Sequence, residues 1–231
     1  MLVIPGPAQW ARFIEKPNRF VAAVETAGGT VLAHVPTSSR MRELLAPGAE
    51  VLLVGRPRPG GATQHDLVMV RAASGLVSVD SRVPNRLLGA VLRGGGLPEF
   101  AGWELVRPEV TLGDSRLDFL LSDGARRCWI EVKSVTLVVD GAALFPDAPT
   151  ARGARHLGEL ARAREAGDRA AAVFIVQRGD ADRFTPNRAL DPEFALALED
   201  AARRGVEIYA YRCRIEPGRI SIERRIPVGM V

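Results

Sequence analysis

Cysteine is nearly missing from this chain of 231 residues: Cys128 and Cys213 are too few and too far apart for a disulfide framework or a four-ligand zinc site. Each reads as a buried, reduced thiol. Long apolar runs are missing as well, and none approaches the roughly 18 residues that a membrane span needs. The opening Met1-Leu-Val-Ile-Pro-Gly-Pro7 has neither the basic start nor the long apolar stretch of a secretory leader. The expectation is a soluble, cytoplasmic protein without a membrane partner. No internal repeat and no low-complexity segment is visible. Lysine is the scarcest charge, with Lys16 and Lys133 standing against twenty-nine arginines.

What is there starts at Lys133, inside the apolar run Trp129-Ile-Glu-Val-Lys-Ser-Val135. Where Arg meets almost every need for positive charge, a retained Lys points to chemistry that a planar guanidinium does not supply: a compact ammonium whose pKa burial can shift. Glu131 and Lys133 are two apart and project from one face of a strand. The alternating run Arg116-Leu-Asp-Phe-Leu-Leu121 precedes them, joined through Ser122-Asp123-Gly124-Ala125. Asp-Gly at a turn centre predicts a two-residue hairpin. That register sets Asp118 opposite Trp129 and diagonal to Glu131, roughly 7–8 Å away along the backbone.

Two carboxylates and an ammonium on one surface suit a hard cation. Asp and Glu oxygens hold Mg²⁺ or Mn²⁺ with water completing the shell, and a nearby Lys orients water or neutralises charge on a phosphate. The same three charges also suit a strand face turned to solvent. Their setting favours chemistry, because Ile130, Val132, Val135, Leu137, Val138 and Val139 make this the most apolar neighbourhood of the chain and charges there need a reason.

Apolar residues at 47% and charged residues at 25% are ordinary for a globular protein. A net charge of +4 and a pI near 9.7 permit an anionic partner, although an Arg-for-Lys bias raises pI by itself. The first third reads as short strands broken by Gly and Pro: Phe13–Lys16, Arg19–Thr26, Thr30–Val35, Val51–Val54 and Leu67–Ala72, with Ala27-Gly28-Gly29 as a hairpin loop and a short helix over 40–45. Five short strands with one helical insertion suit a small OB-like barrel. Beyond Asp80 the pattern becomes α/β. A helix over Val83–Leu92 precedes strands near 104–112, 116–121 and 128–135, a helix over Thr150–Glu165, and a fully apolar strand Ala171–Val176. A second helix opens at Asp191-Pro192 and closes at Gly205. The fold class is therefore α/β with a β-barrel, divided at 1–82 and 83–231.

The order Asp118, twelve residues, then Glu131-Val132-Lys133 on adjoining strands followed by a helix resembles the PD-(D/E)XK restriction-endonuclease-like nucleases. Over most of its length the chain is similar to the sugar fermentation stimulation protein A family. The matching text includes Arg19-Phe20, Pro47-Gly48, Val79-Asp-Ser-Arg-Val-Pro-Asn-Arg-Leu87, Ser115-Arg-Leu-Asp-Phe119, Glu131-Val-Lys-Ser-Val135, Phe145-Pro-Asp-Ala148 and His156-Leu157. The resemblance implies an N-terminal OB-like domain, a C-terminal nuclease-like domain and DNA binding, and it offers Glu109 as a third carboxylate at the metal. Two departures stand out: Pro36-Thr-Ser-Ser39 replaces the usual Pro-Asn-Thr-Gly, and Arg155 stands where Lys is usual.

Other residues carry two readings each. Arg152, Arg155, His156 and Glu159 share one face of the second helix, either as a solvated stripe with an Arg155–Glu159 pair or as the border of the metal site, Arg152 and Arg155 clamping phosphate. Arg56 and Arg58 sit in Gly55-Arg-Pro-Arg-Pro-Gly-Gly61, a stiffened loop suited to a phosphate backbone or simply solvated. His34 and His65 have no ligand-like spacing. Two functions follow. One is a Mg²⁺- or Mn²⁺-dependent phosphodiesterase in which Asp118 and Glu131 hold the metal, Lys133 assists the attacking water, and duplex DNA is bound with little sequence preference. The other is a catalytically silent DNA-binding regulator of sugar metabolism genes.

Overall fold

The computed structural model describes residues 1–4, 6–37, 39, 41–55 and 63–230. Arg56 and Arg58 lie outside the described residues. A two-residue strand, β1 (Leu2–Val3), opens the chain, and the barrel follows with β2 (Ala8–Asn18), β3 (Val21–Thr26), β4 (Gly29–His34), β5 (Glu50–Gly55), β6 (His65–Ala72) and β7 (Gly75–Ser78). The strands run in the order β4-β3-β2-β5-β6-β7, and a parallel pairing of Ala33 with His65 and His34 with Asp66 closes five of them into a ring. Closure removes the exposed edges that short strands would otherwise present. The helix expected over 40–45 is a single turn among the described residues, with Leu44 and Leu45 N–H donating to Met41 O at 3.0 and 2.8 Å.

The second half is a seven-stranded sheet ordered β1-β16-β15-β13-β10-β9-β8. Its strands are β8 (Glu104–Leu112), β9 (Ser115–Ser122), β10 (Arg127–Val135), β13 (Arg169–Val176), β15 (Glu207–Glu216) and β16 (Arg219–Ile226). β10, β13 and β15 are parallel. The central strand β13 is buried along nearly its whole length. That explains its unbroken apolar sequence, because a central parallel strand is covered on both faces. Between β10 and β13 the chain adds β11 (Leu137–Val139) and β12 (Ala142–Phe145), which pair with β14 (Arg183–Pro186) in a small third sheet.

Three helices cover the sheet. α1 (Val83–Arg93) packs on one face, where Leu87, Leu88 and Leu92 join Phe119, Ile130, Val173 and Tyr211. That cluster also takes in Leu52, Val54, Val68 and Met69 from the barrel, so barrel and sheet share one core. α2 (Ala151–Glu165) and α3 (Pro192–Arg203) lie on the other face around Leu157, Leu160, Phe174, Phe194 and Leu198. The β8–β9 hairpin is pinned beneath α2 at Gly113, whose φ is +55° and where a Cβ would stand 2.5 Å from Glu159 Oε2. Only glycine meets both demands there.

One residue starts both covering helices. Asp191 caps α3 by accepting from Phe194 N at 2.9 Å, and its other oxygen accepts from Thr150 N at 2.8 Å, the residue that caps α2 through Gly153 N. Removing it orphans two helix-end donors. Asp191→Ala is expected to cost about 2 kcal/mol, more than Thr150→Ala, because a cap loss and a lost charge-assisted bond combine. Urea unfolding checks this; a loss below about half that value would mean Asp191 does not couple the two helices.

Candidate functional site

The β9–β10 hairpin places the site, and its register differs from the expected one. Arg127 pairs with Ser122, Trp129 with Leu120 and Ile130 with Phe119. The connection is therefore four residues, Asp123–Arg126, not the two-residue Asp123-Gly124 turn. Asp123 explains the longer loop: its carboxylate accepts from Ala125 N at 3.1 Å and Arg126 N at 2.8 Å, a local turn of its own. The consequence is a shift of two residues, so the ladder runs Asp118 towards Glu131 rather than Trp129.

The regular pairing ends at Ile130–Phe119. Beyond it, Val132 N–H donates to Asp118 Oδ2 at 2.7 Å, and Asn85 Nδ2, from the first turn of α1, donates to Oδ1 at 2.5 Å. Asp118 is thus clamped between the sheet and α1. Glu131 is buried and held from the opposite side: Lys133 Nζ and His156 Nδ1 both reach Oε1, at 2.7 and 2.5 Å. Arg152 Nε donates to His156 Nε2 at 3.2 Å, so the ring proton sits on Nδ1 and faces the carboxylate. Glu131 Oε2 is buried with no hydrogen-bond partner among the described residues.

The two carboxyls are pushed apart electrically. Burial, then the charge of Glu131, raises Asp118 to about 6, against the pull of Val132 N–H, Asn85 and Lys133. Burial also works to raise Glu131, but the hydrogen bond from His156 and the Lys133 ammonium outweigh it and hold that carboxyl below its usual value. Near neutral pH both are ionised, one of them reluctantly. The unpartnered Glu131 oxygen and the Asp118 carboxylate can offer oxygen donors to a cation. The donor set, all oxygen, suits a hard divalent ion. No group of three His, Cys, Asp or Glu side chains stands in metal-holding geometry among the described residues.

Glu109, the expected third carboxylate, falls between the Pro108–Phe119 and Val110–Leu117 pairs, opposite Asp118, with φ +55°. Its side chain is exposed and pairs with Arg116, not with Asp118 or Glu131. Arg152 and Arg155 are both exposed on the first two turns of α2. The expected Arg155–Glu159 pair is absent: Glu159 is buried, paired with Arg162 and accepting from Asp114 N at 3.3 Å. One residue at the site was not singled out for it by sequence: Asn85 sits in a helix-opening Pro-Asn-Arg where nothing marks its direction. His156, expected either at the edge of the metal site or on a solvated stripe, is buried against Glu131. His34 and His65 sit on barrel strands, partnered by Asp66 and Gln9. Cys128 and Cys213 are free, and burial pushes both thiols up to about 12. No helix among the described residues is long and apolar enough to cross a membrane.

Comparison with known proteins agrees along the whole chain. The family described as SfsA, sugar fermentation stimulation protein RE domain, matches residues 82–219, and the SfsA N-terminal OB domain matches residues 14–79. The sugar fermentation stimulation protein homolog of Moorella thermoacetica is 49% identical over 224 residues, covering 96% of this chain and 97% of that protein. The homolog from Chloroflexus aurantiacus is 46% identical over 223 residues, covering 96% and 86%. Among solved structures, Pyrococcus furiosus SfsA in complex with Ca²⁺ superposes with a TM-score of 0.91 at 28% identity, covering 99% of this chain and 98% of that one. The chain belongs to the sugar fermentation stimulation protein family, SfsA.

Proposed function

We propose that this protein is a divalent-metal-dependent phosphodiesterase acting on DNA, with Asp118 and Glu131 holding the metal and Lys133 serving the attacking water. The observation that carries this reading is the unpartnered, buried Glu131 Oε2 next to Asp118, whose own pKa is raised by burial and by the charge of Glu131. A carboxylate pair that strains itself apart gains from a cation between its oxygens. The solved relative in complex with Ca²⁺ supports a divalent ion in this family, and Mg²⁺ or Mn²⁺ is the proposed species here. When bound, such an ion polarises a phosphoryl oxygen and acidifies water.

The chain's own residues supply the rest. Lys133 spends one of its three ammonium protons on Glu131 Oε1 and keeps two donors for a water or a phosphate oxygen. His156, its proton held on Nδ1, fixes the Glu131 carboxylate from behind and leaves Oε2 as the oxygen for the metal. Asn85 and Val132 N–H hold Asp118 by one bond to each of its oxygens. Arg152 and Arg155 are the proposed phosphate contacts beside the site, with Arg56 and Arg58 proposed as further contacts on the barrel loop. Contacts of this kind carry no base information, so duplex DNA is expected to bind with little sequence preference.

Metal binding is testable without turnover. Saturating Mg²⁺, Mn²⁺ or Ca²⁺, about a hundredfold above the dissociation constant, should stabilise the protein by about 2.7 kcal/mol in a thermal-shift titration. Asp118→Asn should abolish the shift. Because the Asp118 pKa is raised to about 6, the charged form that the metal needs is complete above that pH and lost below it. Apparent affinity should therefore weaken about tenfold between pH 7 and pH 5. A flat profile would remove Asp118 from the metal.

Cleavage is tested with supercoiled plasmid and each metal. Asp118→Asn should lose cleavage and keep DNA binding, since a negative charge near the phosphates has gone. Lys133→Arg should also be inactive, because it keeps the charge and loses the compact ammonium. A Lys133→Arg protein that cuts at the normal rate refutes the role of Lys133. Metal binding with DNA left uncut under every metal would make the protein a binding-only regulator. Arg155→Ala should flatten the salt dependence of duplex affinity by about one unit.

A further inference from the structure

One cleft is lined by neither Asp118 nor Glu131. About 780 Å³ in volume, it opens between β2 and the segment leading into α2, with Phe13–Asn18 on one side and Ala148 on the other. The two walls are tied where Ser39 Oγ donates to the Asp147 carboxylate. Three cations line it, Lys16, Arg19 and Arg42, together with the carboxylate of Glu15, and the Asp147 carboxylate stands behind Ser39. Lys16 is the second of the chain's two lysines, and its Nζ donates to a neutral carbonyl, Ser39 O, at 2.9 Å. Burial, and then the charge of Arg19, lower its pKa. Crowded cations on a concave surface concentrate anions.

The rest of the lining is apolar: Phe13, Ile14, Leu45 and Pro47. At the rim, the Arg19 guanidinium lies 5.5 Å from the ring centroid of Phe20, a large aromatic that stays exposed. Anionic groups alternating with flat apolar ones are the chemistry of a nucleotide chain, and base stacking on an aromatic beside a basic groove is how unpaired strands are held. The volume falls within the roughly 300–1,000 Å³ of clefts that enclose a small ligand. That admits a nucleotide or two, and an unpaired strand can offer a base to Phe20, whereas a duplex keeps its bases stacked inside. Ala148 lies two residues before Thr150, the cap of the helix that carries Arg152 and His156. A strand leaving the cleft on that side meets the first turn of α2.

We propose that this cleft binds single-stranded DNA, phosphates on Lys16, Arg19 and Arg42 and a base against Phe20, so that the protein engages duplex ends carrying an unpaired extension. The inference rests on the DNA reading above and adds the strand form and its site.

Fluorescence anisotropy in EDTA, where nothing is cut, tests it with labelled dT12 and a blunt 20-bp duplex. Arg42→Glu, at an exposed position, and Lys16→Ala with Arg42→Glu should each weaken dT12 at least about tenfold and the duplex less than about threefold. Phe20→Ala should weaken dT12 about 5- to 150-fold, the range for losing one stacked base. Unchanged dT12 affinity in Arg42→Glu and Phe20→Ala, or equal losses on dT12 and duplex, overturns the proposal. Duplex binding with no dT12 binding by the unmodified protein overturns it while leaving the DNA reading intact; binding to neither overturns both.

Discussion

Where β9 and β10 part, the backbone amide of Val132 has no strand partner on that side, and Asp118 takes its place. A buried N–H left unpaired costs as much as a lost hydrogen bond, so the carboxylate is structurally required at the point where it is electrostatically most awkward. It is half-buried and lies close enough to Glu131 to be raised by its charge. The site follows from that one substitution of a side chain for a ladder bond.

Glu131 solves its burial differently. It stands in the parallel ladder opposite Ala172, beneath α2, and recruits both an ammonium from its own strand and an imidazole from the helix. Both bonds land on the same oxygen. A buried carboxylate with one oxygen doubly satisfied and the other bare is asymmetric, and a bare buried oxygen calls for a physical account. The scarcity of lysine fits this geometry. Lys133 is only 12% exposed in its side chain and reaches back two residues to Oε1, a contact that suits a compact ammonium on a flexible stem better than a rigid fork.

Much of this was legible in the sequence, and the gaps have physical causes. The pairing of Asp118 with Glu131 and Lys133 was visible because strand period and an Asp-Gly signal both point there. The register was wrong by two because Asp123 builds a four-residue loop with its own side chain, and the ladder alone reveals that. The α2 face divided in a way that helical spacing cannot show: His156 and Glu159 turn in, to Glu131 and Gly113, while Arg152 and Arg155 stay out. Glu109 lines the same cleft as Asp118, but its own carboxylate pairs with Arg116 on the neighbouring strand, a partner that strand spacing does not reveal. The sheet of β11, β12 and β14 and the strand β7 were not foreseen, since strands of three or four residues carry too little alternation to register.

What fixes Asn85 on Asp118 lies outside the site altogether. Arg82 immediately precedes α1, and its guanidinium is held by Asp80 at 2.7 and 2.8 Å and by Asp66 of β6 at 2.8 Å. The hydrogen bonds to Asp80 come first among the causes that raise its pKa, although burial opposes them, so this is a firm ion cluster rather than a surface pair. Asp66 also receives His34 from β4. The cluster therefore ties the barrel's closing strands to the start of the helix whose first turn carries Asn85. Barrel and sheet already share Leu52, Met69 and Phe119 in one core. Contacts therefore run from the barrel strand that carries Asp66, through Arg82 and the first turn of α1, to the Asn85 amide and the carboxylate that completes the interrupted ladder.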